Sequence, residues 1–292
     1  MKYKKRRLLV LKRKHIKIII IVLAVAIAGI VLLLVTSANT QRSQKQHAVD
    51  TVAKAGVINI GLRGGIGSLC TYDEDTNTFN GLEKDVADEI VSRLFPDGII
   101  INYVNVNSET KDSELLQGRI DISLGASINV KKSGINYTSS YFADGSAFLV
   151  EGGKVNSSAE LNGKTVAVIQ NSVVDQTSKK DKKVSVLQEY LKQQSIDVTI
   201  KKYASYPEAI EGLRNGAVAA VCASEIDLKL FGVKGMLLLP DRFLPSRYCV
   251  QVRKGLGMFS DAVDDTITEM KRDGTMATLI SKWKLEDDSA LD

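Results

Sequence analysis

Two stretches of the chain share one design, and that design constrains the fold more than any other feature. The first is Ser113-Glu114-Leu115-Leu116-Gln117-Gly118-Arg119-Ile120-Asp121-Ile122-Ser123-Leu124-Gly125-Ala126. The second is Ala209-Ile210-Glu211-Gly212-Leu213-Arg214-Asn215-Gly216-Ala217-Val218-Ala219-Ala220-Val221-Cys222. Each is an amphipathic helix closed by a glycine, then a short apolar strand ending in small residues. Glycine adopts the left-handed backbone conformation that caps a helix. A buried parallel strand reads as a near-continuous apolar run. One cassette per half predicts two α/β lobes of similar build. Small residues at the strand ends leave room beyond the carboxyl edge of each sheet, where ligands sit in open α/β folds.

The start of the chain is a separate object. Met1 to Lys17 holds nine Lys and Arg and no acid, and Ile18 to Val35 is unbroken apolar sequence. As a helix that run spans about 27 Å, close to a hydrocarbon core of about 30 Å. Positive charge ahead of it places the N-terminus in the cytoplasm and the rest outside. A retained anchor is expected. Thr36-Ser37-Ala38 offers small residues at cleavage spacing, so a signal peptide is the alternative, but the run exceeds the usual apolar region of about 7–15 residues. Ser37 to Lys54 is polar, short on large apolar residues, and reads as a linker.

The overall charge of +5 misleads, because eleven of the 39 Lys and Arg precede residue 48 and no acid does. The remainder carries 28 basic against 34 acidic residues, net −6. The basic run is therefore a topology signal, and nucleic-acid binding by the folded part is not expected. Both histidines, His15 and His47, lie ahead of that part, which removes Ser–His–Asp and Cys–His nucleophiles and histidine zinc sites. No phosphate-binding Gly-x-x-x-x-Gly-Lys-Ser/Thr loop occurs. Cys70, Cys222 and Cys249 have no metal-ligand spacing and read as partly buried thiols. No cofactor, metal or enzymatic activity is expected.

In the first half, Val57–Leu62 reads as a strand, Leu82–Phe95 as a helix with Leu82, Val86, Ile90 and Leu94 on one face, and Ile99–Val106 as a strand. After the first cassette, Ala147–Val150 is a further strand. A fresh unit opens with strand Thr165–Ile169, a lysine-rich helix of about twenty residues after Gln170-Asn171-Ser172, and strand Val198–Ile200. Ser205 and Pro207 open the second cassette helix as cap and first-turn proline. Strand Tyr248–Val252 and helix Asp261–Lys284, interrupted at Gly274, close the chain. This order predicts two crossings between lobes, near Val150 and Ser246, around a closing cleft. The expected division is 1–17 basic segment, 18–36 membrane span, 37–55 linker, 56–149 with 247–292 as lobe 1, and 150–246 as lobe 2.

Several stretches in this order resemble one family. They are Phe79-Asn80-Gly81-Leu82-Glu83-Lys84-Asp85-Val86-Ala87, Leu116-Gln117-Gly118-Arg119-Ile120-Asp121, Tyr137-Thr138-Ser139-Ser140-Tyr141-Phe142-Ala143-Asp144, Leu161-Asn162-Gly163-Lys164-Thr165-Val166-Ala167-Val168 and Arg272-Asp273-Gly274-Thr275. Leu239-Pro240-Asp241-Arg242-Phe243 is similar to the glutamate/glutamine branch. From about Gly56 to Glu286 the chain resembles the family 3 extracellular solute-binding proteins of polar amino-acid ABC importers, with the periplasmic-binding type II fold. The resemblance implies two lobes joined by two hinge crossovers, a small polar solute as ligand, an acidic amino acid being one option, and ABC permease subunits as partners.

It also implies a binding site, residue by residue. Where the family places an arginine for the ligand carboxylate, this chain has Asn129-Val130-Lys131-Lys132, so Lys131 or Lys132 stands in, without arginine's planar fork. The family aspartate for the ligand ammonium falls on Ser224, with Glu225 beside it. Gly125, Ala126 and Ser127 fit the first lobe's cradle, and Asn171, Ser172 and Val173 the loop whose amides hold the carboxylate. The covering aromatic falls on Ile66 or Leu69, or on Tyr72 if the loop bends differently. These departures imply a site that tolerates acidic ligands lacking a well-placed amine. A sensing or interaction module of the same fold is the alternative to transport.

Overall fold

A computed structural model describes residues 13–170, 172–231 and 234–285. The chain opens with α1 (Arg13–Lys54), followed by β1 (Val57–Leu62), β2 (Thr71–Asp73), β3 (Thr78–Asn80), α2 (Leu82–Leu94), β4 (Ile100–Asn105), α3 (Lys111–Leu116) and β5 (Ile122–Ser123). A 17-residue strand, β6 (Ile135–Glu151), leads onward. Then come β7 (Thr165–Ile169), α4 (Val186–Gln193), β8 (Thr199–Tyr203), α5 (Tyr206–Arg214), β9 (Ala220–Ser224), α6 (Glu225–Phe231) and β10 (Met236–Leu238). The last elements are β11 (Phe243–Arg253), α7 (Phe259–Arg272) and α8 (Thr275–Lys282).

The strands run β4-β1-β5-β11-β6-β9-β7-β8, with β10 beside β6. Each half is a parallel trio with its first strand in the middle: β4-β1-β5 in one lobe, β8-β7-β9 in the other. Between them β6 and β11 pair antiparallel. The repeat explains the two cassettes. Gly118 (φ 71°) ends the helical stretch before β5 and Gly216 (φ 75°) does the same before β9, a backbone state that costs glycine nothing. Ser205 Oγ accepts from Glu208 N, with Pro207 in the first turn of α5.

Strand β6 pairs with β11 as far as Ser146 and with β9 from Ser146 to Val150. The crossover therefore lies a few residues before the expected point near Val150, and Phe243–Ser246 carries the return. Lobe 1 packs around Ile58, Ile60, Leu62, Val250 and Val263, and lobe 2 fills both faces of its sheet, with Phe148, Val166 and Leu187 on one and Leu149, Ala167 and Leu213 on the other.

Two expected segments differ. The lysine-rich helix after Ser172 is a single 3-10 turn, Val173–Asp175, then a loop, and α4 begins only at Val186. Lys179, Lys180, Lys182 and Lys183 crowd like charges without an apolar face. A capping box of Ser185 and Gln188 starts the helix instead. The stretch read as a linker is the helical end of α1. It contains no glycine or proline, and it buries Ala48, Val49 and Val52 in the lobe 1 core.

Candidate ligand cleft

A cavity of about 440 Å³ lies between the lobes, within the range of small-molecule sites. Lobe 1 lines it with Arg63, Ile66, Leu69, Ser108, Lys111, Ala126 and Ile128. The hinge strands add Asp144, Ser146, Ser246 and Tyr248, and lobe 2 adds Ser172, Val173, Val174, Gln176, Tyr206, Ala223, Ser224, Ile226 and Asp227. The small residues of the second cassette strand, Ala223 and Ser224, open the floor as their type predicts.

Charge is separated across this cleft. Its two cations stand on lobe 1. Arg63 follows β1, and its Nη1 donates to Ser108 Oγ at 2.9 Å. Lys111 opens α3, and its Nζ donates to Ser127 Oγ at 2.9 Å and to the Gly125 carbonyl at 3.3 Å. Among the described residues, no carboxylate lies within ion-pair distance of either. Burial lowers the Lys111 ammonium from its usual range; Asp112 draws it back up and Arg63 pushes it further down. An anionic ligand group would relieve that desolvation.

Of the cleft carboxylates, Asp227 stands opposite on lobe 2 and Asp144 lies at the hinge. Asp227, in the first turn of α6, accepts from Tyr206 OH at 2.7 Å and from Ser224 Oγ at 2.9 Å. Asp144, buried at the crossover of β6, accepts from Tyr248 OH at 2.9 Å. Burial, with the neighbouring carboxylate next, raises both phenols, so they stay protonated donors. A third hydroxyl, Ser172 Oγ, is buried without a hydrogen-bond partner among the described residues.

The expected residues divide. Ile66, Leu69, Ala126, Ser172, Val173 and Ser224 line the cavity. Tyr72 does not; its ring packs tilted against Phe79, centroids 4.6 Å apart, and its hydroxyl donates to Asn77 Oδ1 at 2.7 Å. Lys131 is exposed, and Lys132 pairs with Asp112 at 2.8 Å outside the cavity. Glu225 turns inward as a buried partner of Arg242 and Lys229. Ser224 is present, but the carboxylate near it is Asp227, one helical turn on. Asn171 lies outside the described residues. The Ser172 amide is committed to the Ile169 carbonyl.

The cradle is also spoken for. Glu83, fully buried, accepts from Gly125 N at 3.0 Å, Ala126 N at 2.6 Å and Tyr141 OH at 2.5 Å. These amides hold a carboxylate of the protein itself, and Ala126 sits at φ 50°. Ser127 is buried behind the wall, bonded to the Leu124 carbonyl and Gln251 Oε1. Its role is to hold Lys111. Sequence reasoning missed Arg63, Lys111, Asp144, Tyr206 and Asp227; the Tyr206-Pro207 helix start and the Asp227 turn after Ser224 were the available signals.

Two lobes joined by two antiparallel hinge strands around a cleft give the type II periplasmic-binding fold. The model of the bacterial extracellular solute-binding proteins, family 3, matches residues 58–286, and the chain belongs to that family. It is 24% identical over 214 residues to the ABC transporter glutamine-binding protein GlnH of Bacillus subtilis (strain 168), covering 71% of this chain and 73% of that one. It is 22% identical over 273 residues to the L-cystine-binding protein TcyA of the same organism, covering 89% and 95%. Among solved structures, a mutant of ArgBP from T. maritima superposes with TM-score 0.57 at 21% identity, covering 82% of this chain and 100% of the other. An ancestral cationic amino acid solute-binding protein superposes with TM-score 0.60 at 19% identity, covering 80% and 98%.

Proposed function

We propose that this protein captures an amino acid bearing a second acidic group and delivers it to an ABC permease, from the outer face of the membrane that anchors it. The observation that carries the ligand reading is the pair Arg63 and Lys111, two cleft cations without a carboxylate partner among the described residues. One α-carboxylate needs one of them; a side-chain or second carboxylate engages the other. Asp227 supports an ammonium on the facing side, so the geometry favours an amine-bearing ligand, whereas Ser224 alone implies tolerance of acids lacking a well-placed amine. Glutamate and aspartate carry two carboxylates and one ammonium, and cystine two of each. Of the relatives above, the one named for binding cystine fits this reading, whereas the one named for glutamine takes a ligand with a single carboxylate.

Anchoring rests on α1, whose apolar side chains from Ile20 to Val35 are exposed rather than buried by the protein. Binding rather than catalysis is proposed: the acids of the cleft are engaged by phenols and a serine, and the curated relatives are binding proteins. A thermal-shift panel of the amino acids with cystine tests the ligand reading, and a raised melting temperature with a dicarboxylate supports it. No shift with any amino acid would remove it.

A further inference from the structure

Helix α1 joins the apolar span to lobe 1 without a joint. It runs unbroken from Arg13 to Lys54, and no glycine or proline occurs between Gly29 and Gly56. Its final turns bury Ala48, Val49 and Val52 in the same core as Val263 and Ile267 of α7. Lys45 pairs with Asp265 on that helix. Only Ala55 and Gly56 separate α1 from β1, and both amides are tied back into the helix, to Val52 O at 3.0 Å and Ala53 O at 2.9 Å. The connection is therefore docked along its side and fused at its end.

Distance then sets the geometry. Lys45 lies ten positions after Val35, about 15 Å along the helix at 1.5 Å per residue. The polar interface of one leaflet takes up about 5–8 Å of that. Lobe 1 thus begins about 10 Å or less beyond the headgroups. Lobe 2 is joined to lobe 1 through β6 and β11. From these relations, and resting on the retained anchor proposed above, we infer that α1 is a rigid stalk that fixes lobe 1 against the bilayer. Closure on a ligand then moves lobe 2 alone, and the cleft is presented to a partner embedded in the same membrane. A flexible tether would let the whole domain tumble; this stalk orients it.

The test uses the full chain in nanodiscs carrying a headgroup-linked acceptor. A donor is placed at Thr268→Cys on α7 or at Gln193→Cys on α4, both exposed sites, while the native cysteines are buried. The lobe 1 donor should report one narrow distance, unchanged by saturating L-glutamate or L-cystine, and the lobe 2 donor should shift with the ligand that binds. Inserting Gly-Gly-Ser-Gly-Gly after Ala38 should broaden both distributions while leaving ligand affinity within about twofold, since the insertion lies far from the cleft. A native distribution as broad as that of the insertion overturns the stalk, as does an equal shift of both donors. Hydrogen exchange separates the docking from the anchor. Residues 45–54 should exchange about tenfold or more slowly than 37–42, even in a form that has lost the span. Finding that the natural protein itself is released to solution without the span defeats the retained anchor and with it the stalk. Equal exchange defeats the docking.

Discussion

Lys111 Nζ donates to Ser127 Oγ at 2.9 Å and faces the cleft without a carboxylate partner among the described residues. Replacing Lys111 by Met should weaken binding of an anionic ligand by about 2–5 kcal/mol, the range for truncating one member of a desolvated charge pair. Folding stability of the free protein should hold or rise, because an unpaired, partly buried charge is removed. Lys131→Met and Lys132→Met together should change affinity by less than about 0.5 kcal/mol, as surface substitutions do. Calorimetry on the three proteins checks this; a large loss in the double variant would return the anion site to the loop.

The same lysine predicts a pH effect. Its ammonium is lowered from 10.5, chiefly by burial. Between the lowered value and 10.5 the unfolded chain holds the proton and the folded chain does not, so stability from this group rises with pH across that window. An anionic ligand restores the charged form, so binding there takes up protons. Titrations in two buffers of different ionisation enthalpy should give different apparent enthalpies within that window, below 10.5, and converge at pH values where the free protein already holds the proton. Identical values throughout would mean that Lys111 is not at the ligand.

Glu83 organises the wall behind it. Gly125 N, Ala126 N and Tyr141 OH all donate to its carboxylate, and the amide group of a glutamine there would oppose one of those donors. Glu83→Gln should destabilise the protein by about 1–3 kcal/mol, the range for a buried donor left unmade. Burial raises the Glu83 carboxyl above 4.5, against the pull of Tyr141 and Ala126. The folded state therefore binds the extra proton above 4.5, and stability from this group falls as pH rises through its folded value. Denaturant melts at pH values rising from 4.5 should show that slope in the native protein and not in the variant.

Asp227 and Glu225 separate the two readings of the ammonium site. Asp227→Asn should reduce affinity for an amino acid by about tenfold or more and affect an amine-free acid little, because only the former presents an ammonium to it. Glu225→Ala should act on the fold instead. It removes the buried partner of Arg242 and Lys229, and because both cations left behind are partly exposed the loss of stability should be about 1–3 kcal/mol. Parallel melts and titrations distinguish them, and an affinity loss confined to the Glu225 variant would reverse the assignment.

Period and punctuation made much of the fold legible. Val57–Leu62 and Thr165–Ile169 coincide with β1 and β7, and Gly274, at φ 84°, divides the last helix as expected. Local composition misled where tertiary contacts decide: the polar 37–54 segment is helical because Val49 and Val52 find lobe 1, and the Lys179–Lys183 run has no face to bury. The site was half legible. Apolar and small wall residues follow from strand ends, and Ile66, Leu69, Ala126 and Ser224 do line the cavity between the lobes. Charges did not, because which lysine or acid reaches the cleft depends on side-chain direction from α3 and α6. Lys111 and Asp227 stand on helices that a motif read from neighbouring loops passes over.

Calorimetric titration of the full-length protein with L-glutamate, L-glutamine and glutarate tests the dipolar cleft most directly. Glutamate presents two carboxylates and an ammonium, glutamine lacks one carboxylate, and glutarate lacks the ammonium. Arg63, Lys111 and Asp227 predict that glutamate binds, with each analogue weaker by about tenfold or more, about 1.4 kcal/mol for each lost charge contact. Glutarate binding as tightly as glutamate, or glutamine binding more tightly, would contradict the account.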